Sequence, residues 1–177
     1  MRYSRLGASC LMPLLVLAGP LRAVAQDTHI RTDDAGIRAL IAEGSARSPT
    51  FNHLIDAVDA TDGIVYLLRG SCHARVRACL LIHMTYAGGH RVLRLVIEQQ
   101  KADSALLPTI AHELTHAHEV LGDRKVRSTR DMYALYVRIG IDPPQSSMQR
   151  RNPAVFETQD AIDAGQRVRE ELARGAR

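Results

Sequence analysis

The sequence predicts one α+β domain in which helices precede and follow a small antiparallel sheet. Apolar residues recur at three- and four-residue spacing in the first and last parts of the chain, whereas the middle part holds short apolar, β-branched runs bounded by glycines. With 177 residues, 46% of them hydrophobic, the chain is long enough for one core of ordinary composition. We therefore expect a single domain over residues 26–177.

Residues 1–25 have the features of a signal peptide that is removed on export. Arg2 and Arg5 precede an apolar run, and Ala23-Val24-Ala25 places small residues where a signal peptidase reads. The run is interrupted by Gly19-Pro20 and is too short to be kept as a transmembrane helix. These features predict a secreted or periplasmic protein with no stable membrane anchor after cleavage.

Cleavage would also change the charge of the protein. The removed segment holds three arginines and no acidic residue, so the net charge falls from +4 to +1. A basic patch remains at Arg124, Lys125, Arg127 and Arg130, but no aromatic stacking platform accompanies it. We expect a solvated loop there and no nucleic-acid partner.

Two cysteines, Cys72 and Cys79, remain in the mature chain. An even pair in an oxidising compartment is expected to be bonded, and these two flank a short loop between strand-like runs. We predict a disulfide that contributes about 2 to 3 kcal/mol if it is unstrained. The alternative, a metal site built from Cys72, His73 and Cys79, has the wrong spacing for a zinc knuckle.

Two helices are expected before the sheet. The first covers Asp34 to Ala46, with Asp33 or Asp34 as its N-cap. The second covers Phe51 to Val58, after Ser48-Pro49-Thr50 breaks the chain, and it ends at a glycine turn.

Three antiparallel strands are expected next, over Ile64–Leu68, Cys79–Tyr86 and Val92–Ile97. Ala87-Gly88-Gly89-His90 suits a hairpin, because glycine supplies the positive φ angles that tight turns need. The candidate edge strand is Val92–Ile97, which could hold an extended peptide by backbone pairing.

Three helices are expected after the sheet. The first begins near Ser104 and ends at Gly122, and the second lies around Asp131 to Ile139. The last begins near Pro153 and runs to about Leu172.

The run His112-Glu113-Leu114-Thr115-His116 lies inside the first of these helices. Residues four apart share one helix face, so His112 and His116 can converge on one metal ion. Glu113 lies one position round the helix, where its carboxylate can reach a metal-bound water without binding the metal. These residues in this spacing predict a Zn²⁺ site with Glu113 as general base.

The run from Ile110 to Glu119 resembles the zincin metallopeptidases. Metzincins have a glycine three and a histidine six positions after the second motif histidine, where this chain has Glu119 and Gly122. It looks more like the gluzincin branch, in which a glutamate from a later helix completes the metal site. The resemblance implies a minimal zincin-like domain, with the sheet packed on the motif helix, that hydrolyses peptide or protein substrates with Zn²⁺.

On this resemblance Glu157 would be the third ligand, and Asp160 would be a partner that orients a histidine. The thermolysin pattern has its glutamate and aspartate four apart, and here they are three apart. A carboxylate at the start of a helix, favoured by the helix dipole, is the other interpretation of Glu157. The tetrahedral preference of zinc leaves four further candidates for the third ligand: Asp160, Glu119, Asp131 and His83.

Stabilisation of an oxyanion needs a second donor, and the phenol of Tyr133 or Tyr136 could supply it, although a tyrosine at helical spacing more often packs. A different class of function also fits the motif. A zinc-stabilised binding or regulatory protein would keep the metal and hydrolyse nothing.

Overall fold

The computed structural model describes residues 28–72, 76–98, 103–141 and 156–175, which form an α+β fold, as predicted. The strands are β1 (Ile30–Arg31), β2 (Gly63–Gly70), β3 (Ala78–Leu80), β4 (Thr85–Ala87) and β5 (His90–Glu98). The helices are α1 (Ala35–Arg47), α2 (Pro49–Asp59), α3 (Leu107–Gly122), α4 (Thr129–Ile139) and α5 (Gln159–Arg174), with a short 3-10 turn, Ser104–Leu106, leading into α3.

The first four helices follow the local signals in the sequence, and their predicted positions are confirmed. The Asp34 carboxylate accepts the backbone N–H of Ile37 at 2.7 Å and caps α1. The Ser48 hydroxyl accepts that of Phe51 at 3.0 Å and caps α2. Each cap satisfies a backbone N–H that the helix leaves without an internal partner, which sets where the helix begins.

The sheet is mixed, so the prediction that all its strands are antiparallel is wrong. Strand order is β1-β2-β5-β3, with β4 also paired to β5; β2 runs parallel to β1 and β5, while β3 and β4 run antiparallel to β5. The predicted middle strand is split into β3 and β4, and both pieces pair with β5 on the side away from β2. The chain therefore enters β5 in the same direction as β2.

The position of β5 inside the sheet also corrects the predicted edge strand. Val92–Ile97 has strands on both sides, and Val92, Leu93, Leu95, Val96 and Ile97 are all buried. A near-continuous apolar run of this kind is typical of a strand covered on both faces. The edge nearest the motif helix is β3. The β4–β5 hairpin is confirmed, with Gly88 and Gly89 at φ 58° and 84°.

Helix α3 packs against the sheet through β3 and β5 and lies against α2 and α5. The approach of α5 depends on Gly165, because a Cβ there would lie 3.0 Å from the Pro108 carbonyl oxygen and 3.5 Å from Cβ of His112. Close contact at this point brings the start of α5 to the face of α3 that carries the two motif histidines.

The C-terminal end of α3 is held by Arg91 of β5, whose side chain is 3% exposed. Its guanidinium donates hydrogen bonds to the carbonyls of Val120 at 3.1 Å and Asp123 at 2.9 Å, and the Asp62 carboxylate accepts from its Nε at 3.0 Å. A buried charge needs such partners to offset its lost hydration. The arginine thereby fixes α3 to the sheet.

Helix α5 starts later than predicted. Pro153 lies outside the described residues, residues 156–158 are not helical, and Thr158 caps a helix that begins at Gln159. The Thr158 hydroxyl accepts the backbone N–H of Ala161 at 3.3 Å. Glu157 therefore precedes α5 instead of lying on it. The predicted signal peptide, residues 1–25, lies outside the described residues.

Candidate metal centre

His112 and His116 lie on the face of α3 that meets α5. Their ring centroids are 4.8 Å apart and the rings are nearly perpendicular, at 84°. His116 is buried, and the His112 side chain is 19% exposed. The regular backbone of α3 places one ring a turn above the other, as the four-residue spacing predicts.

Glu157 reaches the same point from the segment before α5. Its Oε2 lies 3.4 Å from Nε2 of His112, and the ligating atoms of His112, His116 and Glu157 all lie within 4.8 Å of one another. The backbone N–H of Ile141 donates to the Glu157 carbonyl oxygen at 3.0 Å, which holds this segment against the end of α4. The structure thus brings together the three residues that the sequence named as ligands.

The buried Nε2 atom of the His116 ring is a second observation that supports a metal ligand. Its Nδ1 lies 2.9 Å from Oε2 of Glu119, while its Nε2 is buried and has no hydrogen-bond partner among the residues that the structure describes. A buried polar atom without a protein partner is costly, so such atoms usually bind a water molecule or an ion. Two imidazoles and one carboxylate are ligands that suit Zn²⁺ and leave one position open.

Charges within the group perturb its titration. Burial lowers the pKa of His112, but its hydrogen bond with Glu157 and the charges of Glu113 and Glu157 outweigh burial and raise the pKa above its ordinary value. The same hydrogen bond lowers the pKa of Glu157, against a smaller effect of burial. In the metal-free chain each of the two side chains therefore favours the charged form of the other.

Glu113 points from α3 towards the edge of the sheet. Its Oε2 accepts the backbone N–H of Leu80, in β3, at 2.7 Å. Burial raises the pKa of its carboxyl, although the two motif histidines and the Leu80 hydrogen bond act in the opposite direction. A carboxyl group with a raised pKa is a stronger base near neutral pH.

The structure separates the other predicted ligands from this group. Glu119 contacts the far side of His116 and holds its ring, which is the role the sequence proposed for Asp160. Asp160 is exposed on the first turn of α5. Asp131 accepts the Ser128 hydroxyl at the start of α4, and His83 is exposed between β3 and β4.

The two tyrosines differ in what they contact. Tyr136 is buried and its hydroxyl donates to the His116 carbonyl oxygen at 2.9 Å, so the predicted phenol donor is engaged beneath the site. Burial, with the charges of Glu119 and Glu113, raises the pKa of Tyr136 well above its ordinary value. Tyr133 is 46% exposed and its ring lies edge-on to Phe156, the residue before Glu157.

Three contacts at the site were not predicted from the sequence. Thr158 donates its hydroxyl hydrogen to Oε1 of Glu119 at 2.6 Å, Phe156 stacks on Tyr136 with centroids 5.0 Å apart, and the backbone of Leu80 binds Glu113. A threonine before a helix is a cap signal, but the sequence does not show the second hydrogen-bond partner of its hydroxyl. A backbone N–H has no residue-type signal at all.

The predicted disulfide is present and lies beside the site. Cys72 is bonded to Cys79, and Cys79 is the neighbour of Leu80 within β3. The bridge therefore ties the start of the edge strand to the chain that leaves β2.

Comparisons with protein-family models, with curated proteins and with solved structures returned no match for this chain. Within the described ranges, no helix is both long enough and apolar enough to cross a membrane.

Proposed function

We propose that this protein is a secreted or periplasmic zinc-dependent metallopeptidase. The observation that carries the proposal is the convergence of His112 and His116, from one helix, with Glu157, from the segment before α5. They meet at the buried Nε2 of His116, which has no hydrogen-bond partner among the described residues. The Cys72–Cys79 disulfide supports export, because such bonds persist in oxidising compartments.

His112, His116 and Glu157 would hold the ion. When bound, zinc lowers the pKa of a coordinated water and polarises a carbonyl group. Glu113 would take up the proton of the attacking water and pass it to the leaving amine. Since the Leu80 N–H occupies Oε2 of Glu113, we assign the proton transfer to Oε1.

The edge of β3 is the best candidate for holding the substrate backbone. It is the sheet edge against α3, and Glu113 lies at this edge because it accepts the N–H of Leu80. A peptide paired with the other edge groups of β3 would therefore run past the general base. Extended peptides commonly bind by adding a strand to such an edge. We therefore propose β3 as the substrate-binding strand in place of Val92–Ile97, which lies inside the sheet.

One contact favours a second function, a zinc-stabilised binding protein without catalysis. The carboxylate of Glu113 joins α3 to β3 through Leu80, so it has a structural partner whether or not it moves protons. Such a protein would bind zinc and leave peptides intact.

Glu113→Gln separates the two functions. The glutamine oxygen can still accept from Leu80, so the fold and about one zinc per chain should remain, while hydrolysis of fluorogenic peptides and casein falls at least about a hundredfold. Glu170→Gln, an exposed glutamate on α5 that accepts from Gln166, controls for loss of one charge. Wild-type protein that binds zinc and cleaves nothing would favour the binding protein, and protein that binds no zinc would exclude both functions.

A further inference from the structure

The hydroxyl of Thr158 joins the start of α5 to the motif helix. Its Oγ1 donates to Oε1 of Glu119 at 2.6 Å and accepts the backbone N–H of Ala161 at 3.3 Å. The residue is 3% exposed, so water does not compete freely for either bond. One buried hydroxyl thus caps one helix and holds a carboxylate of another.

Glu119 passes this contact on to His116. Its second oxygen, Oε2, lies 2.9 Å from Nδ1 of the imidazole. An ionised carboxylate can only accept hydrogen bonds, so Nδ1 must carry the hydrogen. A neutral imidazole with its hydrogen on Nδ1 has its lone pair on Nε2, the buried atom that faces no partner among the described residues.

We propose that Thr158 is a positioning residue that, through Glu119, holds His116 in the Nδ1–H tautomer and aims its Nε2 lone pair at the metal position. Thr158 also directly follows Glu157, so the same residue links the second ligand, by its side chain, to the third ligand, by its backbone. This inference rests on the proposed function in taking the group of three as a zinc site.

A second buried hydroxyl, that of Ser48, makes the same two kinds of contact as Thr158, and its carboxylate partner holds no histidine. It therefore serves as a control. Ser48 is buried, accepts the backbone N–H of Phe51 as the cap of α2, and donates its hydroxyl hydrogen to the carboxylate of Glu171 on α5. Thr50 donates to the same carboxylate at 2.7 Å. Loss of the Ser48 hydroxyl therefore removes a cap and a carboxylate contact of the same kind, away from the metal position.

The test compares Thr158→Val, Thr158→Ser and Ser48→Ala in the full mature chain. Zinc dissociation constants come from competition with a chromophoric chelator, and thermal unfolding of the metal-free proteins is measured beside them. We expect Thr158→Val to weaken zinc binding about 10- to 100-fold, as is usual when a partner behind a ligand is lost. Thr158→Ser should restore wild-type affinity. Ser48→Ala should lower the unfolding temperature and leave zinc affinity unchanged.

A second measurement needs no metal. Nitrogen-15 NMR of the imidazole of His116 in the metal-free protein should show the Nδ1–H tautomer in wild type and in Thr158→Ser, and a mixture of tautomers in Thr158→Val. Wild-type zinc affinity and tautomer in Thr158→Val would overturn the inference, as would an equal loss of zinc affinity in Ser48→Ala. If wild type binds no zinc, the proposed function fails, and the tautomer measurement alone decides the positioning role.

Discussion

Two pairs of histidines in this molecule make similar edge-on ring contacts. His29 and His90 lie edge to face with ring centroids 5.8 Å apart, and His112 and His116 do so at 4.8 Å. Each pair contains a buried imidazole nitrogen without a hydrogen-bond partner among the described residues, Nδ1 of His29 and Nε2 of His116. Neither a ring contact nor an unpartnered nitrogen is therefore sufficient by itself to identify a metal site.

The two histidine pairs differ in the carboxylates that lie near them. Near the first pair, Asp59 accepts the backbone N–H of His29 at 2.7 Å and Asp62 is paired with buried Arg91. Near the second pair, Glu157 arrives from a separate segment and closes a group of three ligands, the one such group within the described residues. Two histidines become a candidate metal site where a second segment brings a carboxylate whose partner is one of the histidines themselves.

The largest expected effect comes from removing one histidine of each pair. His112→Ala should abolish zinc retention after desalting, whereas His90→Ala should keep about one zinc per chain, because only the first variant loses a ligand of the group. Elemental analysis of both proteins measures this. Equal zinc in the two variants would remove the distinction between the pairs.

The next largest effect is expected from the carboxylate itself. Glu157→Gln should raise the zinc dissociation constant at least about a hundredfold, more than a change behind a ligand typically does. Asp160→Asn, three residues away and exposed, should bind zinc as wild type does. Chelator competition checks both, and a larger effect of Asp160→Asn would show that the ligand assignment is wrong.

The pH dependence of zinc binding should reflect the raised pKa of His112. His112 must lose its proton to bind zinc, and the pKa of His112 is raised above its ordinary 6.5. Zinc affinity should therefore begin to fall at a pH above 6.5, and by about tenfold for each further unit once His112 is protonated. Titrations from pH 8.5 to about 5.5 test this; affinity that stays level down to about 6.5 would contradict the raised pKa.

In the metal-free protein, the pKa shifts of His112 and Glu157 make stability depend on pH in opposite directions. The raised pKa of His112 stabilises the fold fully below pH 6.5, and that contribution is lost as pH rises through the raised value. The lowered pKa of Glu157 stabilises it above pH 4.5, and that contribution is lost as pH falls through the lowered value. Both contributions are present between 4.5 and 6.5, so Glu157→Gln should destabilise the metal-free protein most in that window.

The smallest effect on zinc is expected from the disulfide. Replacing Cys72 and Cys79 by alanine should lower the free energy of unfolding by about 2 to 3 kcal/mol, because the unfolded chain gains freedom. Zinc affinity should not change, and peptide hydrolysis should fall only a few-fold as β3 loosens around the Leu80 bond to Glu113. Denaturant unfolding and chelator competition measure the two quantities. A large loss of zinc would mean that β3 supports the metal site directly.

The fold could be predicted from the sequence where local chemistry decides it. Asp34, one of the two expected caps, caps α1; the predicted break at Ser48 separates α1 from α2; and Gly122 is the last residue of α3. These signals act within a few residues. Strand direction could not be predicted, since alternating or apolar runs say nothing about which strand lies beside β5. The start of α5 was misplaced because the cap at Thr158 determines it, and Pro153 was the stronger local signal.

In the candidate site, too, local spacing predicts some residues, and only the packing of the fold brings the others together. His112 and His116 are four residues apart, so spacing alone places them on one face of α3, with Glu113 one position round the helix. Glu157 was named through the resemblance to a family, and only the fold brings it to His112. The bond between Thr158 and Glu119 joins residues 39 apart, and Glu113 binds a backbone N–H 33 residues away. Contacts of this range depend on how helices and sheet pack.

The most direct test of the central claim is anomalous diffraction at the zinc absorption edge from crystals of the protein grown with zinc. We predict one strong peak about 2.0 to 2.2 Å from a ligating atom of each of His112, His116 and Glu157. A peak between His29 and His90, or no peak beside Glu157, would contradict this assignment of the metal ligands.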